Sequence, residues 1–128
     1  LSDPDFTIKG DVFREVPAMV RTKLSSLVDD ESSYTILLSH RPELFESYAR
    51  CSIDLVLSGH AHGGQFRLPF IGGLIAPNQG LFPQYDAGLY TSGSTNMMVS
   101  RGLGNSIIPI RFNNRPEVVV IELLNMDC

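Results

Sequence analysis

The sequence predicts an α/β domain whose parallel strands carry functional groups at their carboxyl ends. Two apolar runs, Ile36-Leu37-Leu38 and Leu55-Val56-Leu57, lack polar alternation, the pattern of strands covered on both faces. Between them Pro42 stands where a helix can start, and Leu44, Phe45, Tyr48 and Ala49 form one stripe of a short helix to about Arg50. A strand–helix–strand unit with so short a crossover makes the two strands parallel. Both runs also end alike, in Ser39-His40 and in Ser58-Gly59-His60-Ala61-His62.

Parallel neighbours end at the same edge of a sheet, roughly 5 Å apart. The chain's three histidines, His40, His60 and His62, are therefore expected to converge at one edge, where open α/β sheets bind ligands. Gly59 ends the second run, and Gly63 and Gly64 let the backbone turn tightly or approach a ligand.

The remaining elements follow in order. Leu1 to Gly10 is polar, and Asp11 is a candidate helix cap. Val12, Phe13, Val16, Val20, Leu24, Leu27 and Val28 recur at helical spacing, with the helix expected to begin nearer Val16 so that Pro17 falls in its first turn. Asp29 to Ser33 is a polar stop. Gln65 to Pro69 reads as a short strand. Phe70 to Ala87 is a long, apolar, Gly- and Pro-rich loop, and such loops are usually functional. Its apolar part, 70–82, can be a buried strap, a lid over a pocket, or a patch for lipid or a partner; the strap is the expectation. Tyr90 to Asn96 and Met97 to Arg101 read as a hairpin turning near Gly93, Arg101 to Asn105 as a glycine-rich bend, and Val118 to Leu123 as a final strand.

The 128 residues suit a single domain with one core. A net charge of −4 without a basic run argues against nucleic acid as a partner. Only Lys9 and Lys23 are lysines, and the arginines that make up the other basic residues suit fixed recognition of carboxylate or phosphate. Cys51 and Cys128 give no disulfide framework; Cys51 is expected to be buried. No apolar run approaches the ~18–20 residues of a membrane span, which implies a soluble chain.

Three imidazoles at one edge point to a metal site, in which a His-x-His pair can bind one ion or serve two. Carboxylates are missing from it: none occurs from Leu55 to Tyr85. Asp54 lies at the far end of its strand, roughly 20 Å from His60 at 3.3 Å per residue, and nothing places Asp86 at the site. A hydrolytic site with divalent ions needs carboxylates to offset charge and bridge ions, so these are expected from outside the chain. Arg101 is a candidate for substrate phosphate or a surface ion pair. Asn78, polar within the apolar loop, either faces the site as a substrate-binding group or caps a turn. No residue is assigned as catalytic.

The stretch Gly59-His60-Ala61-His62 resembles the last metal motif of the calcineurin-like metallophosphoesterases, Gly-His-x-His, and His40 resembles the isolated histidine before it. Leu38-Ser39-His40-Arg41-Pro42-Glu43 and Ser100 to Ser106 resemble a bacterial cell-envelope branch of that family. The likeness runs from about Leu1 to Leu123. It implies one part of a sandwich of two mixed sheets flanked by helices. It also implies two divalent ions (Mn, Zn, Fe or Mg), with His40 and His60 on one and His62 on the other, and a bridging hydroxide attacking a phosphomonoester or phosphodiester. The family's earlier motifs, Asp-x-His, Gly-Asp and Asn-His, are absent, since no histidine precedes His40. The chain is therefore expected to be the C-terminal half of the enzyme, inactive alone. The resemblance implies a small-molecule or lipid-like phosphoester substrate and a membrane-associated or cell-envelope parent. Self-association through the truncated sheet or loop 70–82 is expected. The alternative is a non-catalytic module with a structural or single-metal histidine site.

Overall fold

The computed structural model describes residues 12–28, 33–76, 78–104 and 110–124. A four-stranded mixed sheet forms its centre, built from β1 (Ile36–Ser39), β2 (Leu55–Ser58), β7 (Gly88–Ser92) and β8 (Thr95–Val99) in the order β1-β2-β8-β7. The central strand β2 is parallel to both neighbours, and β7 closes the sheet antiparallel to β8. The parallel β1–β2 pair follows from its short crossover, a 3₁₀ turn at Pro42–Leu44 running into α2 (Phe45–Ala49). Pro42 fits there because an early helical position has no N–H bond to lose. Asp54 fixes the start of the pair: its carboxylate accepts from the Thr35 N–H at 2.7 Å.

One face of the sheet carries the core. Cross-strand partners share a face, so Leu37, Val56, Met97 and Tyr90 form one row against the helices. Phe45 and Tyr48 from α2, Ile53, and Leu24 from α1 (Val12–Ser25) complete it. The next row, Leu38, Leu57, Met98 and Leu89, lies on the opposite face. Leu38 is 65% exposed there and Leu89 61%. This corrects the reading of the first run as buried on both faces, because β1 is an edge strand and no described element covers that side.

Five further readings are corrected. Pro17 lies inside α1 rather than in its first turn, since the helix starts at Val12; Asp11 falls outside the described residues. The loop 70–82 is not a buried strap: Phe70, Ile71, Leu81 and Phe82 are exposed. Two-residue strands fold it into two small hairpins, β3 (Arg67–Leu68) with β4 (Gly72–Gly73) and β5 (Ile75–Ala76) with β6 (Gly80–Leu81). Leu68, Ile75 and Leu81 are exposed on them, while Ala76 is buried in the core. The hairpin near Gly93 exists, but Thr95 and Asn96 belong to its second strand. Residues 118–123 form no strand, because no described strand offers them a ladder. Instead the segment before them runs beside Gln65–Arg67, with Arg67 N–H donating to the Phe112 carbonyl at 3.0 Å and Phe112 N–H to Gln65 at 3.2 Å. Cys51 is only half-buried and is not disulfide-bonded; Cys128 lies outside the described residues. No helix among them is long and apolar enough to cross a membrane.

Candidate functional site

His40 follows the last residue of β1 and is clamped from both sides by α2. The Tyr48 hydroxyl shares a hydrogen bond of 2.7 Å with Ser39 Oγ and donates to the Arg41 carbonyl at 2.9 Å. Burial pushes the Tyr48 phenol up to about 12, so it remains a neutral donor. The backbone on either side of His40 is thus tied to a buried core residue.

His60 reaches the same edge from β2. The register pairs Ser39 with Ser58, so the next residues emerge side by side. The His40 and His60 rings meet edge to face, with centroids 4.6 Å apart at 65°. His60 has φ 70° and His62 φ 47°, both in the left-handed region that side chains with a Cβ rarely adopt. Burial does most to lower the pKa of His62, a backbone hydrogen bond with Gly104 opposes it, and the nearby Arg111 and His40 lower it further.

The His62 titration has a definite sign. A folded pKa below the usual ~6.5 means that, between the two values, the unfolded chain binds more protons than the native one. Stability from this group is present above that window and falls as pH drops through it. An NMR titration of the His62 ring should give a midpoint below that of the same ring in urea. A midpoint at or above the urea value would contradict the described environment.

The turn carrying His62 is held by residues far away in sequence. Buried Asn114 donates from Nδ2 to the His62 carbonyl at 2.6 Å and to the Gln65 carbonyl at 3.2 Å. Gly63 (φ 65°) and Gly64 (φ 71°) lie beneath it. A Cβ on Gly63 would stand 2.4 Å from Asn114 Oδ1, and one on Gly64 2.4 Å from Gly73 Cα. Both glycines therefore serve close approach as well as turning. Nothing local in the sequence marks Asn114 as the strap.

The other candidates divide. Asn78 comes to the site: Nδ2 is 3.2 Å from His60 Nε2. It occupies the turn between β5 and β6 at φ 59°, a left-handed position asparagine tolerates better than most residues. Arg101 is engaged elsewhere, its Nε donating to Glu117 Oε2 at 2.8 Å and its Nη2 to the same oxygen at 2.5 Å. That pairing holds the Glu117 carboxyl below the usual range. Glu117 was not singled out from sequence. Asp86 is likewise committed, receiving Arg67 at 2.8 Å and the Gly73 N–H at 2.6 Å.

Paired imidazoles suit a borderline divalent ion. No group of three His, Cys, Asp or Glu side chains that could hold an ion exists among the described residues.

Over 90 residues, 70% of the chain, it is 43% identical to "Uncharacterized metallophosphoesterase YkuE" of Bacillus subtilis (strain 168), covering 31% of that protein. It is 39% identical over 89 residues to "Phosphodiesterase YaeI" of Escherichia coli (strain K12), covering 70% of the chain and 32% of that protein. An "Uncharacterized metallophosphoesterase" of Helicobacter pylori (strain J99 / ATCC 700824) is 44% identical over 97 residues, 74% of the chain and 25% of that protein. The chain belongs to the metallophosphoesterase family. No protein-family model and no solved structure matches it. As a metallophosphoesterase sequence it spans between a quarter and a third of the length of these relatives, and its mixed α/β sheet fits part of such a fold.

Proposed function

We propose that the chain is the C-terminal, histidine-bearing portion of a metal-dependent phosphoester hydrolase with a two-ion centre. In this reading His40 and His60 contribute to one ion and His62 to its neighbour. The supporting observation is the edge-to-face meeting of His40 and His60 at the carboxyl ends of parallel strands. When bound, the ions would supply a nucleophilic hydroxide at neutral pH and Lewis-acid stabilisation of the phosphoryl oxygens. The chain's own part is to hold neutral imidazoles in place: Tyr48 and Ser39 fix the backbone around His40, and Asn114 fixes the turn of His62. The lowered pKa of His62 keeps it unprotonated, as a ligand must be. Arg101 would contact substrate phosphate only by sharing its donor fork with Glu117.

The substrate class is a small-molecule phosphoester, mono- or diester, and the ions Mn, Zn, Fe or Mg. The outward apolar side chains near Asn78 suit a lipid-like ester or a second copy of the chain. The rival reading, a non-catalytic module with a single-ion or structural histidine site, is favoured by the commitment of Asp86 to Arg67 and Gly73. The test is hydrolysis of p-nitrophenyl phosphate and bis(p-nitrophenyl) phosphate by the full-length protein, before and after exhaustive chelation. Loss on chelation with recovery on adding Mn²⁺ or Zn²⁺ is expected. Full activity after chelation, or none with any of the four ions, would overturn the proposal.

A further inference from the structure

We infer that Asn78 is the positioning residue that selects which nitrogen of His60 faces the metal, namely Nδ1. The inference rests on the proposed role of His60 as a ligand. Its basis is the approach of the Asn78 amide to Nε2 at 3.2 Å, made from a turn outside the parallel sheet.

A neutral imidazole carries one proton, and the nitrogen that binds a metal must be the one without it. The amide can face Nε2 in two ways that differ by a half-turn, and that half-turn exchanges Oδ1 for Nδ2 at nearly the same point. With Nδ2 facing the ring, as described here, Nε2 accepts and the proton sits on Nδ1. With Oδ1 facing it, Nε2–H donates and the lone pair lies on Nδ1. Only the second state lets the contact persist while His60 binds an ion. A side-chain oxygen receiving the outer N–H of a ligating histidine fixes both tautomer and ring orientation. The asparagine is itself well held. Gln79 beside it bonds the Tyr85 backbone on both sides of its amide, at 2.9 Å each, which seats the β5–β6 turn against the core residue Tyr85. The two small hairpins thus deliver one polar group to the histidine edge.

The test uses the full-length protein and Zn²⁺, with long-range ¹H–¹⁵N spectra of the histidine rings and calorimetry. Wild type with Zn²⁺ should show His60 protonated at Nε2 and the metal on Nδ1. Asn78→Asp offers only acceptors and should keep that tautomer and the wild-type affinity. Asn78→Gly tolerates the left-handed backbone but removes the amide; it should weaken Zn²⁺ about 10–100-fold and leave the His60 tautomer mixed. A purely structural role would instead predict that glycine is harmless. Unchanged affinity and tautomer in Asn78→Gly, or Zn²⁺ on Nε2 in wild type, overturns the inference while leaving the proposed function standing. A wild-type His60 ring that does not respond to Zn²⁺ overturns both.

Discussion

His60→Ala in the full-length protein is expected to cost more than about 100-fold in metal-dependent phosphoesterase activity. Loss of a group that merely orients a ligand already costs 10–100-fold, and under the proposed function the ligand itself goes. Two contacts disappear together, the ring packing on His40 and the Asn78 hydrogen bond. His60 is half-exposed, and the core beneath it is made by Val56, Met97 and Val99. Thermal stability should therefore change little while activity collapses. Kinetics over a range of Mn²⁺ or Zn²⁺ concentrations separate affinity from turnover. Activity within about threefold of wild type at every metal concentration would remove His60 from the site.

Gly64→Ala should be the most damaging single methyl in the chain, destabilising it by about 2–4 kcal/mol from left-handed backbone strain and overpacking together. The added Cβ would lie 2.4 Å from Gly73 Cα and 2.9 Å from its carbonyl carbon, so backbone rather than a flexible side chain must yield. Gly93→Ala is the control. It has φ +60° but nothing within 4 Å of its Cβ, leaving only the conformational cost. Urea unfolding of both variants should show Gly64→Ala losing clearly more. Equal losses would mean that the turn and β4 are not packed as described.

The parallel pairing of β1 with β2 and the meeting of His40 with His60 were legible because each depends on a local pattern: an apolar run, a short crossover, a histidine at the end. Burial was less legible. Leu38 has the side chain of a core residue, yet whether its face is covered depends on elements the run itself does not encode. Phe70 and Phe82 misled for the same reason, since apolar character does not distinguish a strap from an outward-facing hairpin. The hairpins were missed because two-residue strands carry no periodicity. Asn114, 52 residues from the carbonyl it holds, has no signature at all: one polar side chain in a turn-rich segment looks like any other. Arg101 was singled out, but its partner Glu117 depends on how a long irregular segment folds back.

The position of β2 between β1 and β8 also bears on the order in which the molecule assembles. β1 reaches β2 through one short turn and helix. β8 reaches it only after the whole of residues 59–94 has been looped out. Closing such a loop costs entropy before any contact rewards it, and distant pairings slow folding. The histidine turn, both small hairpins and the exposed Phe70 and Phe82 all lie inside that loop. The histidine edge is therefore among the last features to take shape. Until β8 docks, a chain emerging from its N-terminal side presents one unpaired edge of an apolar strand, so the interval before docking is when this protein is most exposed to aggregation.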